Sequence, residues 1–186
     1  MEFRRLDISN VILVLPRRFS DGRGWLAETW SAPSFAAAGI DVPFVQDNHS
    51  FSRQAGTVRA LHFQLPPHAQ AKLVRVARGA IFDVALDLRR GSPSYGRFVT
   101  ATLAADDGEE LFIPCGFAHG FSTLMPETEV IYKVSKPYAP AAESGLIWSD
   151  PDLAIPWPVK REAAILSERD GKLPRFAGFV SPFSFP

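Results

Sequence analysis

Short apolar runs, each of strand length and each closed by turn chemistry, constrain this chain more than any other feature. NVILVLP, VPFVQD, TVRALHFQL, KLVRVA, AIFDVALDL, GRFVTATL, ELFIP, TEVIYKV and GLIWSD follow one another between residues 10 and 150. The segments between them, among them RQAG, PPHAQ, RRGSPSYG, ADDG, MPE and KPYAPAAES, supply the Gly, Pro, Asp and Ser that reverse a chain. Helix signals are few. SAPSFAAAGI at 31–40 offers Ser31 as N-cap, Pro33 in the first turn and Gly39 as the stop, and VKREAAILSERDG offers a turn or two more. Strands at this spacing bury their faces by packing sheet on sheet. The expected fold is therefore mainly β, a double-sheet jelly roll with a few short peripheral helices.

Composition bounds what such a fold does. A chain of 186 residues, 46% apolar, fits one domain over 1–186 and buries about 70% of its unfolded surface, so it needs no disulfide or metal staple. Twenty basic and twenty acidic side chains cancel, which removes the broad positive footprint that nucleic-acid binding requires. The single cysteine, Cys115, has no CxxC partner and fits a reducing compartment. MEFRRLDISN is followed by no signal-type apolar region, and VILVL at 11–15 is far too short to cross a bilayer. A soluble cytoplasmic protein, with neither membrane nor nucleic acid as partner, is expected.

PCGFAHGFST, residues 114–123, sets His119 between glycines and phenylalanines just after an apolar strand. A histidine there either satisfies a buried hydrogen bond or takes part in chemistry. It has company. Gly108 to His119 has the glycine, proline, glycine and histidine spacing of the second motif of the cupin superfamily, and Gly56 to His62 resembles the first. Metal-binding cupins have a second histidine where this chain has Gln64, and Lys72 stands in the region of their glutamate ligand. Two imidazoles and an ammonium make a poor divalent site, so neither metal nor another cofactor is expected. In TEVIYKV, alternation puts Tyr132 on a largely apolar face, as either a core aromatic or a phenol aimed into a cavity. Two histidines, a lysine and a tyrosine suit proton transfer beside a carbonyl, with imidazole as base, a cation to steady the enolate and a phenol as acid.

FVQDNHSFS, GTVRALHFQ, AQAKLVRVARGAIFDVALDLRRGSPSYG, LFIPCGFAHGFSTL, EVIYKV, GLIWSDPDLAIPWP and LSERD together resemble dTDP-4-dehydrorhamnose 3,5-epimerases, metal-free cupins of dTDP-L-rhamnose biosynthesis. The resemblance runs from about residue 5 to about residue 174. It implies a dTDP-4-keto-6-deoxyhexose substrate whose ketone acidifies the protons on carbons 3 and 5. His62 then corresponds to the base, Asp170 to the carboxylate that orients it, Tyr132 to the acid on the opposite face and Lys72 to the group beside the keto oxygen. His119 becomes a pocket residue supporting sugar binding. Arg23, Glu28, Gln46, Asn48 and Arg59 match polar contacts with thymidine and diphosphate, and Phe19 and Tyr138 match aromatics near the base. The resemblance also implies a homodimer in which the N-terminal segment, residues 1–20, reaches across to the partner. Read without it, Asp170 and Lys72 are ordinary surface charges, Arg23 and Glu28 are exposed charges after a plain DG turn that leads into a strand, and ISNVILVLPRRF is an edge strand.

Three features depart from a simple match. Strict alternation along 57–65 puts Arg59 and His62 on opposite faces, so both reach one pocket only through a bulge, an edge twist or a subunit boundary. Ala60 stands where the family has glycine, which predicts a methyl group narrowing the pocket. The tail, residues 175–186 with four phenylalanines, has no assigned role and is expected to pack in a surface groove of the domain or of its dimer mate. The rival readings are an epimerase acting at carbon 3 or 5 only, a silent cupin that binds sugar nucleotide, and a metal-dependent cupin.

Overall fold

The computed structural model describes residues 1–185. In chain order its strands are β1 (Glu2–Arg5), β2 (Ile12–Leu15), β3 (Arg18–Asp21), β4 (Gly24–Ala27), β5 (Gln46–Ser52), β6 (Val58–Gln64), β7 (Lys72–Arg78), β8 (Ala80–Asp87), β9 (Phe98–Ala104), β10 (Glu110–Ile113), β11 (Phe117–Thr123), β12 (Thr128–Val134) and β13 (Glu143–Gly145), with helix α1 (Ala32–Ala37) between β4 and β5. They form a six-stranded sheet in the order β1-β2-β10-β7-β12-β5 and a five-stranded sheet in the order β13-β6-β11-β8-β9. Neighbours within each sheet run antiparallel, as the jelly-roll reading predicts.

Three apolar layers result. Val74, Val76, Leu111 and Val130 of the six-stranded sheet pack on Ile81, Ala85, Val99 and Phe121 of the five-stranded sheet to form the core between them. The five-stranded sheet is apolar on its outer face too, where Phe63, Val84 and Leu86 lie under Trp148, Leu153, Ile155 and Phe183. Burial on both sides explains why AIFDVALDL reads as a nearly unbroken apolar run rather than an alternating one. On the outer face of the six-stranded sheet, α1 seats Phe35 against Ile12, Leu73 and Phe112.

The helix begins and ends where the sequence indicates, with Ser31 at the N-cap position and Gly39 at φ +84° just beyond. Ser31 makes no side-chain cap, however; its hydroxyl accepts a hydrogen bond from Ser34 instead. VKREAAILSERDG supplies only single 3-10 turns, at Arg161–Ala163 and Asp170–Lys172. The Phe-rich tail lies in a groove of its own chain, across the outer face of the five-stranded sheet. Among the described residues β3 and β4 pair only with each other, as a hairpin whose Phe19, Trp25 and Leu26 are exposed.

Candidate active site

A cavity of about 490 Å³ opens between the two sheets, with a side lobe of about 120 Å³. The larger space is lined by Arg59 and His62 from β6, Lys72 from β7, His119 from β11, Tyr132 from β12 and Asp170 from the 3-10 turn. The side lobe shares His62, Lys72 and Tyr132 and adds Gln46 and Asn48 from β5 together with Tyr138. Nine of the twelve residues singled out in the sequence therefore converge on one space.

A bulge brings Arg59 and His62 together. His119 pairs with His62 and Phe121 with Arg59, so four residues of β6 stand opposite three of β11. The extra residue reverses the side-chain phase, which puts Arg59 and His62 on the cavity side while Ala60 and Leu61 are both buried in the outer core. Gly120 makes this possible, because a Cβ there would come within 2.7 Å of the Ala60 Cα. The Ala60 methyl consequently meets Gly120 in the core and does not line the cavity, contrary to the narrowing expected from the sequence.

Two histidine–aspartate pairs flank the floor. His62 Nε2 lies 2.8 Å from Asp170 Oδ1. An ionised carboxylate only accepts, so the imidazole donates from Nε2, and in a neutral ring the lone pair is then on Nδ1. Burial alone would push Asp170 up, but the hydrogen bond and charge of His62, with Ser167, outweigh it and hold the carboxyl below the usual range. His119 Nε2 lies 2.6 Å from Asp83 Oδ1, with both side chains buried. Burial lowers the His119 pKa, and Asp83 opposes the shift. His119 is thus a buried histidine with its hydrogen bond satisfied, and it lines the cavity.

Lys72 is buried between these pairs, its Nζ 3.5 Å from the His62 carbonyl oxygen. Burial lowers its pKa to about 8, against the attraction of Asp83 and Glu143. The Tyr132 phenol is raised by burial, with Arg59 opposing. In the side lobe, Gln46 donates to Asn48 at 2.8 Å and accepts from the Tyr138 backbone N–H at 3.0 Å.

Phe19, Arg23 and Glu28 are the three that the chain does not bring to this space. Phe19 and Arg23 line a separate depression on the β3–β4 hairpin, where Arg23 pairs with Asp21 at 2.6 Å, and Glu28 is exposed just after β4. Gln64, at the position of a metal ligand in other cupins, is a bracket here: its amide donates to the His68 carbonyl at 2.7 Å and accepts from the Ala139 N–H at 2.8 Å. Among the described residues no three His, Cys, Asp or Glu side chains are grouped to hold a metal ion, and no helix is long and apolar enough to cross a membrane.

Comparison with known proteins decides the family. Residues 5–178 match the sequence profile of dTDP-4-dehydrorhamnose 3,5-epimerase. The chain is 48% identical over 185 residues to the dTDP-4-dehydrorhamnose 3,5-epimerase of Sinorhizobium fredii, covering 100% of this chain and 94% of that one. The chain belongs to the dTDP-4-dehydrorhamnose 3,5-epimerase family. Its structure superposes on the Bacillus anthracis dTDP-4-dehydrorhamnose 3,5-epimerase solved with TDP and PPi, with TM-score 0.91, 44% identity and coverage of 94% and 98%. It also superposes on the Legionella pneumophila dTDP-6-deoxy-D-glucose-3,5-epimerase solved with dTDP-4-keto-L-rhamnose, with TM-score 0.94, 35% identity and coverage of 100% and 99%.

In this epimerase-family chain, sequence reasoning missed several polar groups. Glu143 of β13 lines both lobes, accepting from the Tyr138 hydroxyl at 2.5 Å and from Arg169 at 2.6 Å. Burial pushes its carboxyl up, but those two partners outweigh it and hold the group low. Within KPYAPAAES it reads as turn filler, and only its tertiary partners reveal it. Asp83 did carry a signal, as a charge in the middle of an apolar strand with no partner nearby in sequence.

Proposed function

We propose that the protein epimerises dTDP-4-dehydro-6-deoxy-D-glucose at carbons 3 and 5 to give dTDP-4-dehydro-L-rhamnose, without metal or other cofactor. One observation carries this reading beyond the family match. His62 projects from the five-stranded sheet and Tyr132 from the six-stranded sheet, on opposite walls of one cavity. Inversion needs a proton taken from one face of a carbon and returned to the other, and two facing sheets supply two faces.

The reaction follows from these groups. His62 Nδ1 takes the proton beside the ketone, the C–H electron pair moves into the enolate, and Asp170 stabilises the imidazolium formed. Lys72 steadies the charge developing on the keto oxygen from a buried position where the attraction is weakly screened. Tyr132 then delivers its proton to the opposite face of the carbon. Its buried phenol is protonated in the resting state, as an acid must be. Once solvent has taken the proton from His62 and returned one to Tyr132, a second cycle at the other activated carbon completes the conversion.

Arg59, Gln46, Asn48 and Tyr138 suit the nucleotide, the arginine through charge-assisted bonds to diphosphate and the tyrosine through stacking. His119 supports the sugar beside them. Phe19, Arg23 and Glu28 reach a site only in a homodimer whose N-terminal hairpin crosses to the partner, and the exposed aromatics of that hairpin support such an assembly, which we place in the cytoplasm. The test is incubation with the keto sugar nucleotide in deuterated water without added metal. Deuterium at carbons 3 and 5 is the expected result. Label at one carbon only would mean a mono-epimerase, and label at neither with substrate bound would reduce the protein to a binding module.

A further inference from the structure

We propose that the C-terminal segment from Pro174 to Phe185 is a strap that positions the His62–Asp170 pair, tethering Asp170 in front of β6 while its phenylalanines brace the same strand from behind. This rests on the reading of that pair as the base. Asp170 lies in no strand or long helix; its local support is a three-residue 3-10 turn and the bond from its own N–H to Ser167 Oγ at 3.0 Å, and Ser167 belongs to the same irregular stretch of chain. Its position therefore depends on what holds the chain on either side. Upstream, Ile165 exchanges backbone hydrogen bonds with Gly56 and Val58 beside the start of β6. Downstream the strap begins at once: Pro174 accepts from the Ile147 N–H at 2.9 Å, and the Phe176 N–H donates to Asp150 at 2.6 Å.

The strap then turns onto the back of the site. Phe63 follows His62 in β6 and projects from the opposite face, into the outer core. Phe179 and Phe183 both meet the Phe63 ring edge-on, at centroid distances of 5.4 and 5.8 Å. Beyond them the backbone is pinned at its far end, because Arg90 donates to Phe183 at 3.0 Å and accepts from Phe185 at 2.9 Å. Ser181 is buried and donates to the Leu88 carbonyl. The strand bearing the base is thus clasped by one continuous stretch of chain, carboxylate in front and aromatics behind. The outer half of the strap lies beyond the span 5–178 that matches the family.

Phe179 and Phe183 are positioning residues, and the test asks whether they act through Asp170. Phe179→Ala and Phe183→Ala are compared with wild type, Asp170→Asn and the corresponding double variants, with circular dichroism and dTDP affinity monitoring the fold. The milder Phe179→Ala keeps the test available if Phe183→Ala does not fold. The expected result is a folded protein with dTDP affinity within about twofold of wild type and kcat for exchange lowered about tenfold, as expected for a misplacement of well under 1 Å. In the Asp170→Asn background the same substitutions cost nothing further. The downfield proton resonance of His62 Nε2–H, identified by its loss in Asp170→Asn, weakens in the strap variants. That resonance is read in the protein without substrate, so it judges the strap even if Asp170→Asn proved fully active, an outcome that would instead remove the base assignment. An unchanged resonance, or losses fully additive with Asp170→Asn, would overturn the strap.

Discussion

The molecule contains the same pair twice, and the two copies differ in how they are built. His62–Asp170 and His119–Asp83 each join Nε2 to Oδ1, and their histidines are paired across β6 and β11. His119 and Asp83 both stand on strands, with 7% and 0% of their side-chain surface open. His62 keeps 28% open, and its aspartate comes from a turn near the end of the chain. A pair fixed within a sheet is precise and nearly dry, which suits a side chain held still in the cavity wall. A pair reached by substrate gives up that support and needs another restraint, which the strap provides. On the proposed reaction, one motif thus yields a structural dyad and a reactive one.

The largest effect should come from breaking the reactive copy. His62→Ala should lower deuterium exchange at both carbons by at least about 10³-fold, the range of a lost general base, whereas His119→Ala should retain measurable exchange and mainly raise KM. Equal losses in the two variants would erase the distinction. Tyr132→Phe separates the two walls of the cavity: exchange at the carbon should persist while formation of inverted product falls on the order of 10²-fold, because the proton now returns from the face it left. NMR of residual substrate and product measures both quantities in one tube.

Asp83 sharpens the comparison through Lys72. Its charge is the leading attraction opposing the burial that lowers Lys72 to about 8. With the ammonium as the enolate's partner, kcat should decline as pH rises through about 8 and the lysine loses its proton. Removing a nearby negative charge disfavours the ammonium, so Asp83→Asn should move that alkaline limit to lower pH. A pH profile of kcat for the two proteins decides it, and an unmoved limit would detach Asp83 from Lys72.

Much of this was legible in the sequence because it depends on local chemistry. Turn residues marked the strand ends, Pro33 and Gly39 bounded α1, and the motif spacings located His62 and His119. The conflict between Arg59 and His62 was visible as well, since a period of two cannot serve both, and the bulge resolves it. Where side chains depend on distant partners, the sequence was silent. Glu143 became part of the site through Tyr138 and Arg169, and the Ala60 methyl is directed by Gly120 across the sheet. The tail's phenylalanines pointed to a surface groove but not to which one, because the groove it fills is assembled from β6 and the segments beyond β13.

Glu110 offers the smallest expected effect on turnover and a control for the buried aspartates. It is 1% exposed, and neither carboxyl oxygen has a hydrogen-bond partner among the described residues, where Asp83 has at least His119. Burial pushes its pKa up to about 8, against the attraction of Arg75 and Lys133. The folded protein therefore retains a proton that the unfolded chain releases near pH 4.5. The sign follows: stability is fullest below that pH and declines as pH rises toward about 8, by on the order of 5 kcal/mol if the whole difference is expressed. Glu110→Gln cannot ionise, so it should leave exchange kinetics unchanged and flatten this decline, with its advantage over wild type growing from pH 5 to pH 8.5. Urea unfolding at the two pH values measures the effect. Parallel curves for the two proteins would mean that the carboxyl finds solvent or a partner in the native state, as a buried group without a histidine of its own would then have to.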